Sequence, residues 1–243
     1  LVGESSIGKS TAQYIAQSVF SNPSQLLTWR TTDNSLEYTA KAHNDQLLVL
    51  DELGQVDEKT ASKSAYFLAN GSGKARMGQA TPEWTTLLLS SGEADFETIS
   101  KSSLHPGQLI RIVNIPVAQI IENPNGKSIA ESLVRNAKQY NSIAIDAFIK
   151  HFQANKNSIE NRWNTYKTAF IERALAALNS QSPQLGRLLN KFAVVAFAAQ
   201  IASECNLIAP LSFDALLEKL IKPATIFLSD AQAQTTLDIE LNT

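Results

Sequence analysis

One octapeptide constrains this chain more than any other feature in it. Gly3-Glu4-Ser5-Ser6-Ile7-Gly8-Lys9-Ser10 meets the pattern G-x-x-x-x-G-K-[ST] at every fixed position and runs directly into helix-forming residues. Glycines at its two ends let the backbone curl into a nest of N–H groups. The helix that follows adds its positive end, so the loop favours an anion such as a phosphate chain. Within it Lys9 offers a mobile ammonium to β- and γ-phosphate oxygens and Ser10 a hydroxyl to magnesium, so residues Gly3 to Thr11 form the expected ATP-binding segment. The later Asn125-Gly126-Lys127-Ser128 has Ile121 where the first glycine would stand, and it reads as a turn and a helix start. A buried strand normally precedes such a loop. Only Leu1 and Val2 do so here and position 1 is not Met, which reads as an N-terminal truncation.

A phosphate loop needs a sheet behind it, and residues 1–116 contain suitable runs. Gln25–Trp29, Gln46–Asp51, Trp84–Ser90 and Gln108–Ile115 are short and β-rich, the middle two almost continuously apolar, as buried parallel strands are. Lys9–Phe20, Ser35–His43 and Asp57–Asn70 lie between the first three runs or before them and are long enough for crossover helices. The pattern is repeated βαβ, an α/β sheet.

Chemistry gathers at the ends of these runs, where open α/β sheets bind ligands. The run Gln46–Asp51 ends in the acid pair Asp51-Glu52. Asp51 is expected to hold magnesium and Glu52 to polarise the attacking water, and an acid directly after the metal-binding one points to hydrolysis rather than to kinase chemistry. The next apolar run ends at Ser90-Ser91, either of which could hydrogen-bond the water or the γ-phosphate; Ser91 is the site residue expected, and a helix cap or turn is the plainer role. Arg111 sits inside the fourth run, where a guanidinium needs a partner. That partner is an acid of its own fold or a nucleotide on a neighbouring copy, reached as an arginine finger. The segment Gly71-Ser72-Gly73-Lys74-Ala75-Arg76-Met77-Gly78 reads as a flexible basic insertion. Lys74 and Arg76 could there neutralise nucleic-acid phosphates, the alternative being a solvated hairpin.

Beyond Pro116 the texture changes to helical periodicity, so the expected division is 1–116 for the ATPase core and 117–243 for a helical region. Ile145, Phe148, Ile149 and Phe152 keep i, i+3, i+4, i+7 spacing, and Ile159, Trp163, Tyr166 and Phe170 form a second stripe. Pro183 opens a helix with Leu185, Leu188, Leu189, Phe192, Val195 and Ala199 on one face. A last helix is expected over Phe213–Leu220. Near the start of the Pro183 helix, Arg187 could reach a γ-phosphate or form a surface ion pair. Core packing is the plain role for every aromatic here.

Composition excludes several classes. A net charge of −2 gives no global basic field, so any nucleic-acid contact must be local. The single Cys205 cannot form an internal disulfide. The longest wholly apolar run, Phe192 to Ala199, is far shorter than the ~18 residues of a membrane span. No membrane association and a cytoplasmic location are the expectations.

The succession of loop, acid pair, polar strand end and arginine strand resembles an AAA+ or RecA-type core. Taken together, LVGESSIGKS, TWRTTDNSLEYTAKAHNDQLLVLDELGQVD, AYFLANGSGKARM, LLLSSGE and GQLIRIVNIP resemble the family known as domain of unknown function 927. A fainter likeness covers Arg187 to Ser203, RLLNKFAVVAFAAQIAS. Its members occur in bacteria, phages and mobile elements and are described as helicases or replication ATPases. The resemblance implies an α/β P-loop NTPase with a parallel sheet flanked by helices and an all-helical C-terminal lid. It implies ATP binding by Gly8, Lys9 and Ser10 and magnesium and water roles for Asp51 and Glu52. A motor of this kind would act on DNA as a homo-oligomeric ring. The other function consistent with these motifs is a nucleotide-gated protein-interaction module without motor activity.

Overall fold

The computed structural model describes residues 1–24, 26–78, 80–94, 112–180 and 183–229. It is a mixed α/β protein with a small parallel sheet and a majority of helix, divided into two compact units, Leu1–Ile143 and Ala144–Thr243. Compactness and sequence texture mark different points. The helical texture begins after Pro116, yet the first helix beyond it belongs to the first unit.

The first unit alternates helix and strand in the order α1 (Lys9–Ser18), β1 (Leu27–Thr28), α2 (Asp33–Ala42), β2 (Leu47–Asp51), α3 (Glu58–Asn70), β3 (Leu87–Ser90) and α4 (Gly126–Gln139). The sheet runs β1-β2-β3, all parallel, with Leu50 opposite both Leu27 and Ser90. Leu48, Val49 and Leu50 of the central strand are buried, the continuous apolar pattern of a strand covered on two faces. The ladder extends beyond β3, because Val2 bridges in parallel to Gly92 and to Pro116. Its N–H donates to Ile115 O at 3.0 Å, and the Val117 N–H donates to Val2 O at 2.7 Å. The residue that enters the glycine loop is therefore flanked on its two sides.

Local chemistry explains the helix ends. The Thr32 hydroxyl accepts from the Ser35 N–H at 3.3 Å to start α2, and Asp57 accepts from the Thr60 N–H at 3.1 Å to start α3. Gly71, with φ of 74°, ends α3 in the left-handed conformation. Helix α1 differs: Gly8 precedes it with φ of 101° and no side chain caps its first turn.

Two strands are shorter than expected, for reasons visible in the hydrogen bonds. Strand β3 starts at Leu87, because Trp84 is claimed by the preceding hairpin: its N–H donates to Gly71 O at 2.9 Å and its indole to Leu68 O at 3.1 Å. Strand β1 keeps only Leu27–Thr28, and the Trp29 N–H reaches Asp51 O at 3.3 Å just past the ladder. Of the run Gln108–Ile115, residues 108–111 lie outside the described residues, and 112–115 are not a strand.

The second unit contains α5 (Ile143–Ala154), α6 (Lys156–Ala177), α7 (Pro183–Glu204) and α8 (Phe213–Ser229). Ile159, Phe197 and Ile201 form a buried cluster with Phe148, Phe152, Trp163 and Tyr166 against it, so the second predicted stripe and the Phe148 and Phe152 positions of the first face core, whereas Ile149 of the first stripe is exposed. The α7 face differs in one place. Val195 is exposed and Ala196 is buried, because the 3.6-residue turn carries the buried line from Leu189 to Ala196. Helix α8 continues past Leu220 and through Pro223. By length and composition Leu185–Glu204 could cross a membrane. Leu185, Leu188, Leu189, Ala193 and Ala196 on it are nevertheless fully buried, as in a core helix.

Candidate functional site

The glycine loop is shaped by steric necessity at its first position. A Cβ on Gly3 would lie 2.4 Å from Val117 O and 2.6 Å from Ile7 Cδ1, so no other residue fits without a backbone shift. Two left-handed positions, Ser6 at φ 65° and Gly8 at φ 101°, turn the loop into α1. Ile7 points inward and is buried, while Ser5 and Ser6 stay exposed. The Lys9 ammonium folds back to donate to Gly3 O at 2.7 Å and Glu4 O at 2.5 Å. Lys9 is thus held over its own loop by neutral carbonyls, which a phosphate could replace.

Strand β2 carries Asp51 to the same place. The Ser10 hydroxyl donates to Asp51 Oδ2 at 3.1 Å, across 41 residues of sequence. Asp51 Oδ1 accepts from the Ser91 hydroxyl and from the Glu52 N–H at 3.0 Å. The serine pair divides its work. The Ser90 hydroxyl accepts from the Trp29 indole at 2.8 Å and is committed to the sheet, leaving Ser91 to face Asp51. Trp29 is a positioning residue that sequence reading missed: it ties the C-terminal ends of β2 and β3 together through its two nitrogens.

Glu52 is held in the left-handed region, φ 59° and ψ 58°, costly for a residue with a Cβ. Its N–H lies 3.3 Å from Ser91 Oγ, and its Oε2 accepts from the Gln55 amide. The carboxylate is exposed and lines a cavity of about 970 Å³ together with Lys9, Ser10, Asp51 and Ser91. That volume is at the upper end of small-molecule sites. Residues between 119 and 130, among them Gln119, Ile121 and Lys127, also line the cavity. The Asn125–Ser128 motif, read from sequence as a turn and helix start, does begin α4, but it also reaches this cavity.

Among the described residues no cluster of three or more His, Cys, Asp or Glu side chains could cage a metal. A magnesium ion fits the donor set that is present. One carboxylate and one hydroxyl 3.1 Å apart match an ion that keeps most of its shell for water and phosphate oxygens.

The remaining predicted residues lie elsewhere. Lys74 and Arg76 sit on a hairpin closed by Ser72 pairing with Glu83 and by the Gly73 N–H donating to Pro82 O at 2.8 Å. The loop expected to be flexible and basic is tied to α2. Lys74 pairs with Asp33 at 2.9 Å, and Arg76 pairs with the buried Glu37 at 2.9 Å while also donating to Asn34 Oδ1 at 2.9 Å. The ammonium groups of Lys63 and Lys74 together hold the Asp33 carboxyl below its ordinary range. Arg111 lies outside the described residues. Arg187 is exposed on α7 of the second unit.

The model of a family described as Domain of unknown function (DUF927) matches residues 1–82, the stretch holding the loop, α2, the acid pair and the hairpin. No curated protein matches the chain. A solved structure named "SCCmec type IV Cch - active helicase" superposes with a TM-score of 0.76 at 22% identity, over 94% of this chain. The chain spans 42% of the length of that structure's chain. At this identity the likeness establishes that the fold described here is one also found in that helicase.

Proposed function

We propose that this chain is an ATP-binding, magnesium-dependent P-loop ATPase, part of a helicase-type protein. The observation that carries the reading is the meeting of Lys9, Ser10, Asp51, Glu52 and Ser91 around one cavity from three separate elements. The phosphate-loop amides and Lys9 bind and orient the triphosphate. Ser10 and Asp51 would hold magnesium, which supplies neutralisation of charge on the phosphate oxygens. Glu52 would orient the attacking water toward the γ-phosphorus and accept on its carboxylate the proton that water loses as its oxygen bonds to phosphorus. Ser91 fixes the Asp51 carboxylate and the backbone of Glu52, so that the two acids keep distinct tasks. Arg111 and Arg187 are the arginines proposed to spread transition-state charge, within one copy or between copies of a ring.

The likeness to a helicase fold supports a nucleic acid as the polymer on which the motor acts, and we take it to be DNA, in the setting of a mobile element. Lys74 and Arg76 are the proposed DNA contacts. Phosphates there would compete with Asp33 and Glu37, so binding should be weak and strongly salt-sensitive. The same pairing favours a second reading, a nucleotide-gated interaction module, because a charge-matched hairpin suits a protein partner as well as a polyanion.

Phosphate release is the first measurement. Glu52→Gln should lower turnover by roughly 10²-fold or more, the scale of lost general-base action, while retaining ATP. Wild-type turnover in both Lys9→Ala and Glu52→Gln would overturn the ATPase reading. Loss of single-stranded DNA binding in Lys74→Ala/Arg76→Ala separates the motor from the module; partner capture without DNA stimulation favours the module.

A further inference from the structure

Charge in the cavity is unevenly matched. Its described lining includes three carboxylates, on Asp51, Glu52 and Glu93, and two cations, Lys9 and Lys127. Asp51 and Glu52 each accept hydrogen bonds from their neighbours, and the Lys9 ammonium rests on two carbonyl oxygens. Lys127 has no hydrogen-bond or ion-pair partner among the described residues.

The backbone delivers Lys127 to the phosphate loop by a short strap. The Ile120 N–H donates to Ile7 O at 3.0 Å, and a Cβ on Gly8 would lie 3.3 Å from the Cβ of Ile120. The strap then turns through Asn123, whose side-chain oxygen accepts from the Asn125 N–H at 2.8 Å and whose carbonyl accepts from the Gly126 N–H at 2.8 Å. Lys127 follows in the next position. At its far end α4 is tied to α1, with the Lys138 ammonium 5.0 Å from the Tyr14 ring centroid.

A magnesium–triphosphate retains net negative charge, and Lys9 is a single cation. We propose that Lys127 is a second phosphate-binding residue of the cavity, contacting the polyphosphate chain from the start of α4. This rests on the nucleotide reading and adds a ligand contact to it from a motif whose pattern lacks the first glycine. A flexible ammonium suits the task, because it follows a charge that shifts between ATP and ADP without demanding bidentate geometry.

The test is titration of the full chain with magnesium-ATP and with inorganic tripolyphosphate, in wild type and in Lys127→Ala, Lys127→Arg and Lys9→Ala. Lys127→Ala should weaken both ligands about 10-fold, the scale of one lost charge-assisted contact. Lys127→Arg should stay within about threefold of wild type, and added salt should narrow the difference. Lys127 is exposed, so the variants should keep the wild-type denaturation midpoint. Should Lys127→Ala bind both ligands as wild type does while Lys9→Ala loses them, the Lys127 assignment is overturned and the nucleotide reading stands. Weakening of ATP with tripolyphosphate unchanged would also overturn it, placing the side chain at the nucleoside end. Uptake of neither ligand by wild type overturns the nucleotide reading, and the role of Lys127 with it.

Discussion

Two glycine- and lysine-bearing loops of the first unit, Gly3–Ser10 and Gly71–Gly78, look alike in composition and are opposite in electrostatics. In the first, Lys9 meets carbonyl oxygens, and the β2 acid bonded to Ser10, Asp51, is engaged by hydroxyls and an N–H. In the second, Lys74 and Arg76 are each matched by a carboxylate of α2. An anion entering the first loop displaces neutral groups; one entering the second must displace charges. A basic glycine-rich stretch therefore says little about ligands until the acids facing it are known, and those acids come from distant sequence.

The sharpest way to break this contrast is to remove the cation from each loop and compare. Lys9→Ala should weaken ATP binding by roughly 10²-fold, whereas Lys74→Ala/Arg76→Ala should leave it within twofold of wild type, roughly the level of surface charge effects. Equal losses in equilibrium titration would mean that the two loops are not electrically distinct. The next effect is on stability. Glu37 is 3% exposed and accepts from the Lys74 N–H and from the Arg76 guanidinium. Glu37→Gln should cost roughly 1–3 kcal/mol in chemical denaturation, less than for a fully buried pair because Arg76 reaches solvent, and should not change ATP affinity. The smallest effect concerns pH. Hydrogen bonds from Lys63 and then Lys74 hold Asp33 below its ordinary value of 3.8. Its contribution to stability is therefore present above about pH 4 and disappears as pH falls through the lowered value. Because Asp33 is a surface group, Asp33→Asn should remove no more than about 1 kcal/mol of this acid-sensitive stability. An unchanged acid limb in the variant would show that these ion pairs do not hold the hairpin.

Much of the site was legible because its signals are local. Gly3, Gly8, Lys9 and Ser10 stand at fixed spacing, and the apolar run before Asp51-Glu52 announces a strand that ends in acids. The central strand and the four helices of the second unit follow from the same periodic logic. What could not be read depends on contacts across the sheet. Ser91 is the serine expected from sequence, but what sets it apart from Ser90 is the Trp29 indole, which engages Ser90 from 61 residues away. The start of β3 is delayed because Trp84 bonds back to α3. Lys127 carries a motif that fails its pattern, and only the strap pairing with Ile7 brings it near the loop.

The left-handed backbone at Glu52 sets the chain's chemistry against its own conformational ease. Glycine at that position would relax the turn while abolishing the carboxylate, so a chain without the proposed general base would be the hardier one. On the ATPase reading proposed above, selection for thermal endurance alone would erode turnover there first. A library screened on heat resistance should accumulate glycine and asparagine at position 52.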